Sequence, residues 1–387
     1  MKLLVDCSPL SQGGGVQAAI AFLANLQERS DIVWQAVLPE SLRPFLPIEV
    51  TADARVSFVR KRSGLHNVAM GRVLLKIERA FSPDVVFTVF GPPYFRARAC
   101  HVVGFAMPNL IYEPDGPLGS RTISDRLRNW IRRVMFRRAD HLVVETETVR
   151  TRLSQCLGIA PSRISVIGNS VNPLLLREAI AHDPPMGRFG FLLPSAYYRH
   201  KNLEITPAVA AAMQRIDPEL DFEFRFTLEA SSKNWRAIKA EAKRLGVADR
   251  LVTLGVLRLG ILARAYREAS AVFLPTLREA STAVYPESFF FGRPLVTSDM
   301  DFARELCDDA ALFVPPLDSE QIAAQLVELA RSPELRERLF ESGKRQLSNA
   351  FPQPAEKFSR QIDLLRSMAR SPIGDLAAAA RDSGKPH

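Results

Sequence analysis

The sequence contains no run of about twenty apolar residues, the length that a helix needs to cross a lipid bilayer, so no membrane-spanning helix is expected. Cysteine is scarce. The four cysteines among 387 residues are Cys7, Cys100, Cys156 and Cys307, and they lack the spacing of metal ligands or of a redox pair. Reduced thiols in a cytoplasmic protein are therefore expected. The amino terminus lacks the long apolar region and the small-residue cleavage site of a signal peptide, and none is predicted.

A nicotinamide-binding fingerprint is also missing. No Gly-x-Gly-x-x-Gly follows the first predicted strand with an acidic residue about twenty positions later, which argues against a dehydrogenase. No cluster of His, Cys and Asp has the spacing of a metal site. The sequence therefore predicts neither a metal nor another resident cofactor.

Basic residues outnumber acidic ones. The chain has 51 Lys and Arg against 42 Asp and Glu, a formal net charge of +9. A positive surplus favours a polyanionic partner or surface. Nucleotide diphosphates and anionic lipids account for the charge as well as nucleic acid does, and we expect no nucleic-acid binding.

The order of apolar segments indicates two α/β domains, because 387 residues exceed the usual single core. Short apolar runs alternate with helical patterns, which is typical of a doubly wound, Rossmann-like parallel sheet with helices on both faces. The predicted parts are two domains over 1–172 and 189–351, a linker over 173–188, a terminal helix over 352–370 and a disordered tail over 371–387. The predicted strands are Leu3–Asp6, Val33–Leu38, Val56–Val59, Val85–Phe90, Val102–Phe105, Leu142–Glu145, Ser165–Ile167, Phe189–Pro194, Phe222–Leu228, Leu251–Leu254, Ala271–Leu274, Leu295–Thr297 and Leu312–Val314.

Two glutamates, Glu279 and Glu287, carry the strongest chemical signal, and they follow the predicted strand Ala271–Leu274. We expect Pro286 to open a short helix, because its missing N–H would be unpaired there anyway. A carboxylate in the first turn then suits the helix dipole. Both carboxylates would lie at the carboxyl end of a parallel strand, where open α/β sheets bind their ligands. Since carboxylates accept hydrogen bonds from hydroxyl pairs, the arrangement suits a sugar nucleotide.

The stretch from Leu274 to Ser298 has the order Glu, seven residues, Glu, then Gly-x-Pro and a strand. It resembles the glycosyltransferases of the GT-B fold, family 4, and further similar segments follow in order over residues 1 to 370. The resemblance implies two doubly wound domains facing across a cleft, with the terminal helix returning to the first domain. It also implies that Glu287 binds the ribose hydroxyls of the donor and that Glu279 lies beside the transferred sugar as a catalytic residue.

Further donor-binding residues are implied by the same resemblance. The segment His200-Lys201-Asn202 looks like the family's Lys-Asn or Lys-Gly element, whose lysine holds the donor diphosphate during catalysis. A helix start disfavours a cation, so an anion facing Lys201 explains its placement better than a surface role does. Arg199 is the expected second cation. Gly14 and Gly15 are similar to part of the family's first glycine loop, which we expect to form a backbone cradle.

The chain departs from the family pattern at two places. The loop Ala280–Pro286 has no glycine, where the family uses glycines to bring backbone N–H groups close to phosphate and sugar. The hydroxyls of Ser281 and Thr282 are the expected replacements. The histidine that many relatives carry after the fifth strand is also missing, and Asn109 and Tyr112 are candidate acceptor contacts in its place. A plain loop-packing role for both is the alternative.

The segment Asp299-Met300-Asp301 spells the Asp-x-Asp that other glycosyltransferases use for a divalent cation. It follows a late strand of the second domain, where the GT-B pattern has a surface loop. We therefore expect no metal site there.

Residues Arg121 to Arg138 contain seven arginines and one aspartate. Apolar residues recur among them at helical spacing: Leu127, Trp130, Ile131, Val134 and Met135. A basic amphipathic helix with a tryptophan can lie on an anionic membrane. The alternative is a Rossmann helix whose apolar stripe packs on the sheet while its arginines face water. Peripheral attachment to the inner face of the membrane thus stands beside a purely cytoplasmic location.

The sequence as a whole predicts a glycosyltransferase that moves a sugar from a nucleotide-diphosphate sugar to a hydroxyl acceptor. The resemblance implies retention of anomeric configuration, no metal, and a hexosyltransferase such as a mannosyltransferase. The basic first domain favours a glycan or lipid-linked acceptor, as in the synthesis of lipopolysaccharide or another envelope polysaccharide. The alternative is a catalytically silent relative that binds a nucleotide or glycan within a complex.

Overall fold

The computed structural model of the protein describes residues 1–11, 13–60, 66–113, 122–176 and 187–370. The chain forms two compact units. Of the described residues, those up to Gly168 and those from Pro354 to Arg370 make up the first unit, and those within Asn169–Gln353 make up the second. Each unit is built on one parallel sheet, which confirms the predicted α/β class.

The first unit contains a seven-stranded sheet in the order β3-β2-β1-β4-β5-β6-β7, with every neighbouring pair parallel. Its strands are β1 (Lys2–Asp6), β2 (Val33–Pro39), β3 (Val56–Val59), β4 (Val85–Thr88), β5 (Cys100–Gly104), β6 (His141–Val144) and β7 (Ile164–Val166). The helices that connect them are α1 (Gly14–Gln27), α2 (Ile48–Thr51), α3 (His66–Phe81), α4 (Ile123–Arg137) and α5 (Glu147–Leu157).

This sheet is covered on both faces. Leu3 and Val5 of β1 join one apolar core, whereas Leu4 between them joins the other, because successive side chains of a strand point to opposite faces. All residues of β4 and β5 are buried. A strand covered on both faces is a continuous apolar run in the sequence, which explains why these strands could be predicted.

The second unit contains a six-stranded parallel sheet in the order β10-β9-β8-β11-β12-β13. Its strands are β8 (Phe189–Leu193), β9 (Phe222–Phe226), β10 (Leu251–Thr253), β11 (Ala271–Leu274), β12 (Leu295–Ser298) and β13 (Ala311–Val314). Its helices are α6 (Pro173–Leu176), α7 (Thr206–Ile216), α8 (Lys233–Arg244), α9 (Leu259–Glu268), α10 (Val284–Phe290), α11 (Asp301–Cys307), α12 (Ser319–Arg331) and α13 (Pro333–Ala350).

The last described helix, α14 (Pro354–Ala369), belongs to the first unit, as the family resemblance implied. Phe358, Ile362 and Leu365 are buried in the core that β1 and α1 also line. The ring of Phe358 meets that of Phe22 edge-on at 5.4 Å. Lys357 adds an ion pair to Glu145, with 2.7 Å between Nζ and Oε1.

The second unit begins at Asn169, slightly before the predicted boundary at residue 172. The predicted linker over 173–188 opens with α6, and its residues 177–186 lie outside the described part of the chain. The predicted tail over 371–387 lies outside it as well. None of the described helices is long and apolar enough to cross a membrane.

Candidate functional site

The candidate site of the second unit lies where the order of its strands reverses. From β8 the chain proceeds outward through β9 and β10, then returns to place β11 on the other side of β8. Loops that leave the carboxyl ends of two such strands diverge and open a crevice, the usual ligand site of a doubly wound sheet. The loop after β8 carries Lys201, and the loop after β11 carries Glu279.

Backbone bonds hold these two loops together. The carbonyl oxygen of His200 accepts from the backbone N–H of Leu277 at 2.7 Å, and Oγ1 of Thr276 lies 3.1 Å from the same carbonyl. Residues Arg199–Lys201 form one turn of 3-10 helix, which ends at Asn202 with a left-handed φ of 54°. The side-chain amide of Asn202 donates to the carbonyl oxygen of Pro316 at 2.7 Å and fixes this turn.

Lys201 and Glu279 form an ion pair in which Nζ contacts Oε1. The two side chains are 11% and 6% exposed, so the pair is largely removed from water. Oγ1 of Thr276 donates to the same glutamate oxygen at 2.9 Å. Two residues that are 78 positions apart, both predicted as site residues, therefore meet at the switch point of the sheet.

The local placement of Lys201 differs from the sequence-based interpretation. We expected it at the start of a helix, where the dipole disfavours a cation. The next α-helix, α7, begins only at Thr206, after a second 3-10 turn at Leu203–Ile205. Lys201 is held by its carboxylate partner, and the argument from the helix dipole does not apply to it.

His200 is a residue of this site that the sequence reasoning did not select. Burial lowers the pKa of its imidazole to about 4; nearby Glu279 raises it, while Lys201 and Arg278 lower it further. The ring stacks on Tyr198 at 5.5 Å. A neutral imidazole thus lies beside the Lys201–Glu279 pair at neutral pH. The sequence signal that could have indicated His200 as a site residue is its position next to Lys201.

Glu287 is held by a different partner. Its Oε2 accepts a hydrogen bond of 2.8 Å from the hydroxyl of Tyr266, and both side chains are buried. The Tyr266 ring stacks on Phe291 at 5.1 Å with an interplanar angle of 8°, which fixes the hydroxyl. Burial raises the pKa of Glu287 to about 7, although the Tyr266 hydrogen bond lowers it. Tyr266 is 21 positions away and belongs to no motif, so it could not be predicted as a site residue.

The helix that carries Glu287 starts earlier than predicted. We expected Pro286 to open it, but α10 begins at Val284, and Pro286 is still in the first turn, where a missing N–H costs nothing. Glu287 remains in that turn. The predicted end is confirmed, because Gly292 follows the helix with a φ of 62°.

The hydroxyls of the glycine-free loop already have protein partners. Oγ of Ser281 accepts from the side-chain amide of Asn169 at 3.3 Å. Oγ1 of the buried Thr282 accepts from the backbone N–H of Val284 at 3.3 Å, at the start of α10. Arg199, the expected second cation, is exposed on the neighbouring 3-10 turn.

The glycine run of the first unit opens α1. Gly13 precedes the helix with a φ of 73°, which favours glycine, and α1 begins at Gly14. A Cβ on Gly14 would meet nothing within 4 Å, whereas one on Gly15 would touch Leu10 at 3.2 Å and Phe90 at 3.4 Å. Gly14 therefore leaves open space at the helix start, while Gly15 is a packing position.

A buried polar network supports the switch point of the first sheet. Asp6, at the end of β1, accepts from the backbone N–H of Ser8 at 2.9 Å and from Oγ1 of Thr88 at 3.0 Å. Nε2 of His101 lies 2.8 Å from the same threonine hydroxyl. Burial lowers the pKa of His101 to about 3, so the ring is neutral. The network ties β1, β4 and β5 together just before the loop that leads to Gly13.

The two candidate acceptor residues have packing partners. Nδ2 of Asn109 donates to Oδ1 of Asn129 at 2.9 Å. Tyr112 is 7% exposed, and the guanidinium of Arg152 lies over its ring at 4.3 Å from the centroid. These contacts favour the loop-packing alternative for both residues.

The Asp-x-Asp segment is engaged locally. Asp299 binds Arg304 through two hydrogen bonds of 2.7 and 2.9 Å, and Asp301 accepts from the backbone N–H of Phe302 at the start of α11. Within the described ranges, no group of three or more His, Cys, Asp and Glu residues could hold a metal ion.

Comparison with known families gives two matches. The family described as Glycosyltransferase Family 4 matches residues 13–173, and the family described as Glycosyl transferases group 1 matches residues 191–332. A curated relative, the alpha-D-kanosaminyltransferase of Streptomyces kanamyceticus, is 31% identical over 116 residues, which is 30% of this chain and 28% of that protein.

Solved structures resemble the chain over nearly its whole length. HepE of Anabaena in complex with UDP-glucose has a TM-score of 0.72 at 15% identity, covering 95% of this chain and 100% of that one. The glycosyltransferase WaaG, involved in lipopolysaccharide biosynthesis, has a TM-score of 0.73 at 13% identity, covering 94% and 99%. The sucrose-phosphate synthase of Thermosynechococcus elongatus has a TM-score of 0.73 at 15% identity, covering 95% and 98%. At these identities the likeness concerns the fold.

Proposed function

This chain belongs to the family 4 glycosyltransferases of the GT-B fold, and we propose that it moves a sugar from a nucleotide-diphosphate donor to an acceptor hydroxyl. The observation that carries the proposal is the buried Lys201–Glu279 pair at the switch point of the second sheet. At this position the ammonium group of Lys201 can bind a diphosphate, and the carboxylate of Glu279 can accept hydrogen bonds from a sugar. We further propose retention of anomeric configuration without a metal.

In the proposed reaction, the bond between the anomeric carbon and the diphosphate oxygen breaks and the acceptor oxygen bonds to that carbon. Negative charge develops on the leaving diphosphate, and the ammonium group of Lys201 stabilises it, with Arg199 as a second cation. The departing diphosphate accepts the proton of the acceptor hydroxyl. Bound phosphate competes with Glu279 for Lys201, which turns the carboxylate toward the hydroxyls of the transferred sugar.

Glu287 is the proposed ribose-binding residue. Tyr266 occupies Oε2, so the second oxygen is the one left to accept from the donor's ribose. Hydrogen bonds from hydroxyls stabilise the charged carboxylate and therefore lower its pKa from about 7 when the donor binds.

The transferred group in this proposal is a hexose, such as mannose. The alpha-D-kanosaminyltransferase and the UDP-glucose complex of HepE support a hexose-type donor. The proposed acceptor is a glycan or lipid-linked molecule of envelope polysaccharide synthesis, which the role of WaaG in lipopolysaccharide biosynthesis supports. Gly14, with open space at the start of α1, remains the proposed donor-binding backbone contact of the first unit.

A catalytically silent relative is the second candidate. Its support is the glycine-free loop, whose Ser281 and Thr282 hydroxyls are engaged by Asn169 and by the start of α10. Such a protein would bind a nucleotide diphosphate without turnover.

The test is a thermal-shift screen with UDP, GDP, ADP, CMP and dTDP, followed by transfer and hydrolysis assays with the matching sugar nucleotides. We expect one nucleotide to raise the Tm by several degrees, because a ligand at 100 times its Kd adds about 2.7 kcal/mol. We also expect sugar transfer from its sugar derivative. Binding without any turnover would support the silent relative, and no binding to any nucleotide would contradict both.

Peripheral attachment to the inner face of a membrane is the proposed location, through the basic segment that α4 occupies. Of the predicted segment Arg121 to Arg138, residues 122–138 are described, and they include six arginines and Asp125. Anionic headgroups would attract this positive surface by about 1 kcal/mol per basic residue.

A further inference from the structure

Helix α4 turns an apolar ridge away from the protein. Ile123, Leu127, Trp130 and Ile131 are 87%, 58%, 61% and 45% exposed. They recur at steps of three and four residues, so they share one side of the helix over about 12 Å of its length. We call these four side chains the apolar ridge. Leu127, Trp130 and Ile131 belong to the predicted stripe, and their exposure corrects the alternative in which that stripe packs on the sheet; its other two members, Val134 and Met135, are half-buried.

The opposite side of α4 is the one that packs. Phe136 is fully buried and meets Phe105 edge-on at 5.0 Å, and Asn129 is buried in contact with Asn109. On this side Arg133 donates to the carbonyl oxygen of Leu110 at 2.9 Å, and at the end of the helix Arg137 donates to that of Leu157 at 2.6 Å. The helix is thus fixed with its ridge outward, and it needs no refolding to dock.

Positive charge flanks the ridge. The exposed arginines of this segment are Arg126, Arg128, Arg137 and Arg138. Asp125, the single acidic residue, serves the start of the helix, where its backbone N–H and carboxylate both contact the hydroxyl of Thr122. Large apolar side chains at the centre of a face with arginines at its edges match the interface of an anionic bilayer.

We infer that α4 docks in the plane of an anionic lipid surface, with the apolar ridge inserted below the headgroups and the arginines at the level of the phosphates. This inference deepens the membrane attachment proposed above, and it does not depend on the donor chemistry. A second copy of the chain is disfavoured as the occupant, because a symmetric contact would bring two sets of like charges together. Nucleic acid would engage the arginines and leave the ridge in water.

Trp130 reports on this docking directly. The chain has three tryptophans, and the other two, Trp34 and Trp235, are 2% and 7% exposed. With vesicles of phosphatidylcholine and phosphatidylglycerol, we expect a blue shift of the emission, protection from acrylamide, and quenching by lipids brominated along the acyl chains. Vesicles of phosphatidylcholine alone should produce much weaker changes.

Two sets of variants separate the contributions of the ridge and the charge. Leu127→Ser with Ile131→Ser keeps the tryptophan and should weaken vesicle binding at least tenfold, most visibly at high salt. Arg126→Gln, Arg128→Gln and Arg138→Gln together should weaken it about a hundredfold at low salt. Ile48→Ser is the matched control, because Ile48 is 72% exposed on α2 of the same unit, and it should bind like the wild type.

Several results would overturn the inference. One is vesicle binding with unchanged Trp130 emission, and another is a ridge variant that binds as tightly as the wild type. Absence of binding to anionic vesicles, or a wild-type dimer that the ridge variant abolishes, would also overturn it. The nucleotide thermal-shift screen on the same variants tests donor binding separately from membrane docking. A variant that loses vesicle binding and keeps the nucleotide-induced Tm shift leaves the proposed donor site intact.

Discussion

Replacement of Lys201 by methionine should reduce sugar transfer by about 10²–10³-fold, the usual effect of removing one group that stabilises transition-state charge. The ammonium group is the buried cation at the switch point, in contact with Glu279. Without it, the leaving diphosphate loses its main counter-charge. Initial rates at saturating donor, with the nucleotide that the thermal-shift screen identifies, are the measurement.

The same substitution should also destabilise the protein. Glu279 is 6% exposed, and Lys201→Met leaves its carboxylate with Thr276 as the remaining hydrogen-bond donor among its described partners. Removing one member of a buried ion pair typically costs about 3–5 kcal/mol, because the other charge stays buried without compensation. Urea unfolding of the variant should show this loss as a lower midpoint.

A double variant separates stability from chemistry. Lys201→Met combined with Glu279→Gln removes both charges, so most of the lost stability should return while transfer stays low. Lys239→Met is the control for a lysine lost elsewhere in the second unit, since its ammonium group donates to the carbonyl oxygen of Leu251 at 2.7 Å. It should lose some stability and keep donor binding. Wild-type transfer rates in a folded Lys201→Met protein would contradict the assigned role.

The meeting of Lys201 and Glu279 could be predicted because it follows from topology. Each residue comes just after an apolar strand, and parallel strands of a doubly wound sheet end at the same edge. The strands themselves were predictable because burial on both faces makes them continuous apolar runs, and every predicted strand is present. Local propensity and one packing rule place the two loops at one edge of the sheet, and the family resemblance selected Lys201 within the first of them.

The contacts that depend on side-chain packing could not be predicted. Periodicity shows that α4 has an apolar stripe but not which side of the helix packs, and here Phe136 and Asn129 fill that place. The Tyr266–Glu287 bond joins α9 to α10 through side chains that share no motif. The buried partners of Asn109 and Tyr112 are likewise set by the neighbouring helices, so their sequence context could not distinguish acceptor contact from loop packing.

Replacement of Glu287 by glutamine should stabilise the protein above pH 7 and weaken donor binding at the same time. Burial raises the pKa of Glu287 to about 7 from the ordinary value near 4.5. Between these values the folded chain holds a proton that the unfolded chain has lost. The contribution of Glu287 to the free energy of unfolding of the wild type is therefore fully present below pH 4.5, and it is lost as the pH rises through 7.

An uncharged glutamine avoids this loss. At pH 8 the variant should be more stable by on the order of 3 kcal/mol, and at pH 4 the difference should vanish. Urea unfolding at the two pH values is the measurement. An equal or lower stability of the variant at pH 8 would show that the buried carboxylate is not under strain there.

Donor binding should change in the opposite direction. A charged acceptor makes hydrogen bonds worth about 1.5–3 kcal/mol each, so Glu287→Gln should raise the nucleotide Kd by about one to two factors of ten at pH 8. The wild-type affinity itself should rise with pH up to about 7, because ribose hydroxyls favour the ionised carboxylate. The glutamine variant should show no such rise from this position.

Tyr266→Phe is the matched variant for this pair. It removes the hydroxyl whose hydrogen bond to Oε2 lowers the pKa of Glu287 in the wild type. The ring can keep its stacking on Phe291. The pKa should then rise further, so nucleotide affinity should fall at pH 7 and recover at higher pH. A loss of affinity that is the same at every pH would assign Tyr266 a packing role only. A hydrogen bond that sets the pKa of Glu287 must, when it is removed, change the pH dependence of nucleotide affinity.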